Sequence, residues 1–175
     1  MILRSRKLIF AWVIKDPRKV WMTHDELVKI ACEWLFKKKH LQIVLGDFRT
    51  VNVNEHPDAI VWKSSGWSIL IEVKTSRADF LRDAKKFSRR NQYAMGQQRY
   101  YLAPENILKE EEIPEGWGFL TVSEKNKVKV VREAKHNQWH FDRMRQELPM
   151  LIAATRRDPV DLKYRYVRPM VKPKK

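Results

Sequence analysis

Three residues in this 175-residue chain have the types and spacing of a hydrolytic centre: Asp58, Glu72 and Lys74. Residues 58–63 (Asp-Ala-Ile-Val-Trp-Lys) and 67–74 (Trp-Ser-Ile-Leu-Ile-Glu-Val-Lys) each read as a strand, and Ser64-Ser65-Gly66 between them is a hairpin signal. With the turn centred on Ser65, Ile60 faces Leu70, Trp62 faces Ser68, and Asp58 faces Glu72. Opposed residues on paired strands hold their Cβ atoms about 4.5–5.5 Å apart, and like charges so placed are destabilising. A divalent cation offsets that repulsion. Mg2+ takes hard oxygens from one or two carboxylates and leaves its other positions to water and phosphate. Lys74 lies two residues beyond Glu72 and leaves the same face of its strand. Two carboxylates and an ammonium at one end of a hairpin suit phosphodiester hydrolysis. The metal neutralises charge on the phosphoryl oxygens and acidifies a bound water. The lysine can orient that water, deprotonate it, or stabilise transition-state charge, and these roles stay open. Taken singly, Asp58 reads equally well as a turn residue, and Glu72 and Lys74 as solvated ladder partners. Together they follow the apolar run Ile69-Leu70-Ile71, and packing gives no reason for such a strand to end in Glu-x-Lys.

Other elements must position this hairpin. Thr23-His24-Asp25-Glu26 is a capping box. Behind it Leu27, Ile30, Ala31, Trp34 and Leu35 mark an amphipathic helix over 24–39, with Lys37, Lys38 and Lys39 at its C-terminal dipole. A strand is expected over 41–53 and a second helix over 77–92. The buried stripe of that helix reads as Phe80, Leu81, Ala84 and Phe87, and its basic face as Arg82, Lys85, Lys86, Arg89 and Arg90. Next comes the strand Arg99-Tyr-Tyr-Leu-Ala103, stopped by Pro104. Strands at 118–122 and 127–131 flank the turn Ser123-Glu124-Lys125-Asn126, and a helix over 136–157 is expected to break or kink at Pro149. The order from residue 23 is helix, three strands, helix, strand, then a strand pair. That is an α/β sandwich with a mixed central sheet flanked by helices.

Pro57-Asp58, thirteen residues, then Glu72-Val73-Lys74 resembles the PD-(D/E)xK motif of the restriction-endonuclease-like nuclease superfamily. The αβββαβ order is similar to that superfamily's core, here with extra C-terminal strands and a helix. The stretch Ile69–Leu81 (ILIEVKTSRADFL) resembles small bacterial and phage members, including DNA-repair-associated proteins. The resemblance implies a metal-dependent deoxyribonuclease active in DNA repair, recombination or phage DNA processing. It implies that Asp58 and Glu72 bind Mg2+ or Mn2+, with the Val73 carbonyl as a further ligand, and that Lys74 serves the attacking water. Many members add a glutamate from the first helix. Glu26 and Glu33 both qualify; Glu26 already has a capping role, so Glu33 is preferred as the fourth catalytic residue. A further superfamily feature, Gln-x-x-x-Tyr, is matched by Gln97 and Tyr101, but on a strand rather than a helix. The resemblance covers about Thr23–Val131 and implies a nuclease core with extra strands (23–131); around it the charge and residue pattern give a basic N-terminal arm (1–22), a C-terminal helix (132–157) and a basic tail (158–175).

The formal net charge of +15 points to a polyanionic partner, DNA first and an anionic membrane surface second. No segment has the clean apolar face of a lipid-seeking helix, so a membrane partner ranks last. Arg77 is placed to touch the phosphate beside the scissile one. The basic face of the second helix and Arg99 are candidate backbone contacts, although a charge run is usually a solvated face. The rival function is a nucleic-acid-binding protein that keeps the fold without turnover. Cys32 is the only cysteine, which fits a reducing cytoplasm and leaves no cysteine-rich zinc site. His24, His40, His56, His136 and His140 show no metal-ligand spacing, and His56, opposite Lys74 in the same register, reads as structural. The apolar stretch Leu8–Ile14 lacks a small-residue cleavage site and reads as part of the N-terminal arm. The tail, with Tyr164, Tyr166 and Val167 among its basic residues, reads as extended.

Overall fold

The computed structural model describes residues 22–37, 41–86, 94–138, 140–156 and 164–167. Helix α1 (His24–Lys37) is followed by strands β1 (Leu41–Gly46), β2 (Ala59–Lys63) and β3 (Ser68–Val73). Helix α2 (Arg77–Asp83), β4 (Gln98–Pro104), a 3-10 turn (Glu110–Glu112), β5 (Gly118–Val122) and β6 (Val128–Arg132) come next. Helix α3 (Phe141–Arg156) and β7 (Tyr164–Val167) complete the order. The strands form one seven-stranded mixed sheet in the order β6-β5-β4-β3-β2-β1-β7. β3 pairs parallel with β4, and β4 parallel with β5; the other neighbours are antiparallel.

The β2–β3 hairpin has the expected register, Ile60 opposite Leu70 and Trp62 opposite Ser68. Gly66 turns the chain at φ +78°, a conformation that costs glycine little, and its N–H donates to the Lys63 carbonyl at 2.9 Å. Strand alternation then sorts the side chains. Ala59, Val61, Ile69, Ile71 and Val73 join Leu27, Ala31 and Leu35 of α1 in one core layer. Ile60, Trp62 and Leu70 join Phe80 of α2 and Met150 of α3 in the other. All six residues of β3 are buried, as expected for a strand covered on both faces.

Several boundaries differ from expectation. The first strand ends at Gly46, because the chain turns at Asp47 (φ 46°) and the Asp47 N–H donates to the Asp58 carbonyl at 2.8 Å. Residues 47–58 form a loop in which Val51 is exposed. Helix α2 ends at Asp83, and its buried positions are Phe80 and Asp83 while Leu81 faces solvent. Residues 87–93, with Phe87, Arg89 and Arg90, lie outside the described residues. Helix α3 begins five residues later than expected and runs through Pro149. Part of the expected extended tail is strand β7, paired antiparallel to β1 from Gly46–Tyr164 to Ile43–Val167. The rest of the tail and the N-terminal arm up to Trp21 fall outside the described residues.

Candidate functional site

Asp58, Glu72, Val73 and Lys74 line one polar cleft of about 430 Å³ at the end of the hairpin. The ladder itself stops one step earlier, at Ala59–Ile71. Past that step the Asp58 carboxylate replaces a backbone partner: its Oδ2 accepts from the Val73 N–H at 2.8 Å. Asp58 is 18% exposed, whereas Glu72 and Lys74 are buried. Lys74 Nζ lies 3.6 Å from Glu72 Oε2 and 3.5 Å from Asp83 Oδ1. Its backbone N–H donates to the Leu102 carbonyl at 2.8 Å, so β4 carries the strand direction through to the lysine.

Asp83 is a member of this group that sequence reasoning missed. It is buried, accepts from the Tyr101 hydroxyl at 3.1 Å, and pairs with Lys86 at 2.8 Å. Tyr101 stacks on Trp117, with ring centroids 4.4 Å apart. The signal was present in the sequence: Asp83 lies one turn from Phe80 on the core face of α2. An acid at a core position needs a buried partner, and Lys74 is that partner.

The contribution of α1 is His24, not a glutamate. His24 Nε2 lies 3.2 Å from Asp58 Oδ1, and this hydrogen bond holds the imidazole pKa above its usual value against the opposing effect of burial. Glu26 closes the capping box: its Oε2 accepts from the Thr23 N–H at 2.7 Å and the Thr23 hydroxyl at 2.9 Å. These bonds pull its carboxyl below the usual range. Glu33, the preferred fourth catalytic residue, is nine residues past His24, about 13 Å along the helix axis. It is not among the described residues that line the cleft. The capping role of Glu26 left Glu33 as the helix glutamate, but the cleft opens at the N-terminal end of α1, where His24 lines it.

The candidate nucleic-acid contacts divide. Arg99 is not available to phosphate: it is buried, donates to Glu55 Oε1 at 2.7 Å, and lies over the Trp117 ring at 4.2 Å. Arg77 Nε donates to Glu112 at 2.6 Å while staying largely exposed. Arg82 on α2 and Lys85 and Lys86 in the turn after it are exposed, and Lys86 lines the cleft as Arg49 does from the loop on the other side. Gln97 is buried, accepting from the Ser68 hydroxyl at 2.7 Å, and Tyr101 points to Asp83, so the Gln-x-x-x-Tyr pair serves packing here. His56 is an exposed residue on the cleft wall, hydrogen-bonded to the Thr50 carbonyl at 2.9 Å. Burial pushes the Cys32 thiol up to about 12, which removes it as a nucleophile.

Asp58, Glu72 and the Val73 carbonyl are hard oxygen donors, and the cleft they face is polar. That set fits Mg2+ or Mn2+, which need one or two carboxylates beside water and phosphate oxygens. Among the described residues no group of three His, Cys, Asp or Glu side chains converges as a self-sufficient metal site. No described helix is long and apolar enough to cross a membrane.

The fold is a mixed α/β sandwich with its polar cleft at the end of the central hairpin. No protein-family model and no curated protein matches the sequence. Among solved structures the chain is similar to the SPO1766 protein of unknown function from Silicibacter pomeroyi. The identity is 18% over 78% of this chain and 89% of that one, with a TM-score of 0.58. The likeness concerns the fold.

Proposed function

We propose that this chain is a metal-dependent nuclease of the PD-(D/E)xK type that hydrolyses phosphodiester bonds in DNA. The observation that carries the reading is the convergence of Asp58, Glu72 and Lys74 in one polar cleft, two carboxylates with a buried ammonium between acids. Asp58, Glu72 and the Val73 carbonyl would hold Mg2+ or Mn2+. When bound, the ion supplies charge neutralisation at the phosphoryl oxygens and a more acidic water. The protein's own contribution is positioning. Lys74 is held by Glu72 and Asp83, and its charge is shielded from solvent, where it acts more strongly than in water on charge developing at the phosphate. Arg49, Arg82, Lys85 and Lys86 are suited to draw the DNA backbone to the cleft mouth, in line with the +15 net charge. DNA repair, recombination or phage DNA processing, in the cytoplasm, is the setting that goes with this reading.

One observation favours the rival, a nucleic-acid-binding protein without turnover. Both Asp58 oxygens are already engaged, Oδ1 with His24 and Oδ2 with the Val73 N–H. A panel of labelled duplex, single-stranded and branched DNAs, incubated with Mg2+ or Mn2+, separates the two. Metal-dependent cleavage that EDTA stops, and that Lys74→Ala lacks, is the expected result. Binding without cleavage under every metal condition selects the rival, and cleavage persisting in EDTA rejects the metal role.

A further inference from the structure

We infer that the pocket between the tip of the β2–β3 hairpin and α3 is a second binding site, for an uncharged single-ring heterocycle that carries a ring carbonyl, the chemistry of a pyrimidine base. The pocket has a volume of about 200 Å³, and its apolar walls are Trp62 of β2 and Met144, Leu148 and Leu151 of α3. An apolar cavity of about 150 Å³ accepts a benzene ring, so this one has room for a ring with its substituents. Met144 and Leu148 remain 39% and 48% exposed, so the pocket is reached from solvent along α3.

Gln97 supplies the polar group that fixes the chemistry. It lines the pocket and is only 3% exposed. The Ser68 N–H can only donate, and it lies 2.5 Å from one terminal atom of the Gln97 amide, which is therefore the oxygen, Oε1. The Ser68 hydroxyl donates to the same oxygen at 2.7 Å. The amide nitrogen, Nε2, finds no acceptor among the described residues. A donor on a buried residue without an acceptor is costly. A ligand that brings a carbonyl oxygen into the pocket removes that cost.

The other polar groups favour a neutral ligand. Glu147 accepts from Trp62 Nε1 at 2.7 Å, and from the Ser68 hydroxyl and the Gly96 N–H at 2.8 Å each. Arg143 donates to the Ala94 carbonyl at 2.9 Å and to the Gln138 carbonyl at 2.6 Å. Both line the pocket with opposite charges, so an ionic ligand would add an unbalanced charge among apolar walls. Two sources carry a suitable ring. One is a free nucleoside. The other is an unpaired base of a strand bound at the polar cleft, and that source rests on the proposed nuclease reading. The pocket lies on the same face of the sheet as the cleft, since Trp62 shares a core layer with Tyr101, which donates to Asp83. Trp62 is four residues from Asp58, about 13 Å along the strand. An unpaired base costs least to draw out of its stack.

The test uses the full chain and reads binding, not cleavage. Free thymidine is compared by saturation-transfer NMR with its difluorotoluene analogue, which keeps the ring shape and has fluorine in place of both carbonyls. In the second arm, a single-stranded oligonucleotide with one thymine among adenines is compared with the same strand carrying the analogue, by fluorescence anisotropy without divalent metal. In the arm that matches the source, the analogue should bind about 5- to 150-fold more weakly than thymine, the effect of one unmet buried donor. Gln97→Glu keeps Oε1 for Ser68 and puts an acceptor where the donor was, so it should weaken thymine binding at least as much. Met144→Trp fills the pocket from a partly exposed position and should abolish the difference between thymine and the analogue. A response in the thymidine arm assigns the pocket to a free nucleoside, and a response in the strand arm alone assigns it to a base of bound DNA. An analogue that binds as tightly as thymine in both arms of the wild type overturns the inference, whether or not the variants fold. So does a preference for thymine that survives Met144→Trp. A wild type that binds thymidine but no oligonucleotide keeps the pocket and counts against the nuclease reading.

Discussion

Replacing Asp58 by Asn should remove the proposed nuclease activity while barely touching the fold, and the structure gives the second magnitude. The fold depends on Asp58 through the Oδ2 bond to the Val73 N–H at 2.8 Å, inside the fully buried end of β3. Asn keeps an oxygen there. Alanine would not, and leaving a buried N–H without its acceptor costs about 1–3 kcal/mol. What Asn removes is the negative charge facing His24, whose side chain is 45% exposed. An ion pair that open to solvent contributes about 0–1 kcal/mol. The melting temperature should therefore fall by no more than about 4 °C, since 1 kcal/mol moves a chain of this size by about 2–4 °C. In the proposed nuclease, catalysis would depend on the same group through its charge at the metal. Losing one of two carboxylate ligands should raise the barrier by at least about 3 kcal/mol, or more than about 100-fold in rate, at about tenfold per 1.4 kcal/mol. The assay pairs thermal unfolding with single-turnover cleavage of labelled DNA in Mg2+ and in Mn2+. An Asn variant that cleaves within a few-fold of the wild type would refute the ligand role. An Asn variant that melts far below the wild type would refute the claim that the retained oxygen preserves the hairpin end.

Three further outcomes follow from the geometry. Burial pushes the Glu147 carboxyl above its ordinary value of 4.5, even though Trp62 Nε1, the Ser68 hydroxyl and the Gly96 N–H all donate to it. Its titration therefore contributes stability that is fully present below about pH 4.5 and lost as pH rises through the raised value. The stability gap between the wild type and Glu147→Gln should narrow over that interval in denaturant titrations, and a pH-independent gap would contradict the burial argument. A Cβ on Gly118 would lie 2.3 Å from two ring carbons of buried Tyr100 and 2.7 Å from the Ala134 nitrogen. Gly118→Ala should therefore cost about 3 kcal/mol by overpacking, visible as a melting point lower by about 6–12 °C; an unchanged melting point would mean that β5 can shift to make room. Removing residues 168–175 takes away four basic residues while leaving β7 in place. DNA affinity should fall for all sequences alike, and the slope of log K against log salt should flatten by about 0.9 for each phosphate that the shortened chain no longer neutralises; an unchanged slope would leave this segment without a DNA role.

The sequence by itself determined what depends on neighbours along the chain. A three-residue turn ending in Gly66, with period-two alternation on either side, leaves one register that buries both strands. Ile60–Leu70 and Trp62–Ser68 are its pairs. The Thr23–Glu26 capping box was legible for the same reason, since its bonds span three residues. The side-by-side exit of Glu72 and Lys74 follows from strand geometry alone. What closes around them was decided by partners far apart along the chain. His24 reaches Asp58 over 34 residues, and Arg99 reaches Glu55 over 44. An arginine beside tyrosines on a strand reads as a phosphate ligand until tertiary packing supplies a buried carboxylate to receive it. Setting aside the capping residue Glu26 singles out Glu33, whereas a site is set by which end of the helix meets the sheet. The tail segment Tyr164–Val167 reads as a basic extension because its short run carries no core of its own. It becomes a strand because the free edge of β1 offers unpaired N–H and C=O groups, and only the folded sheet has that edge.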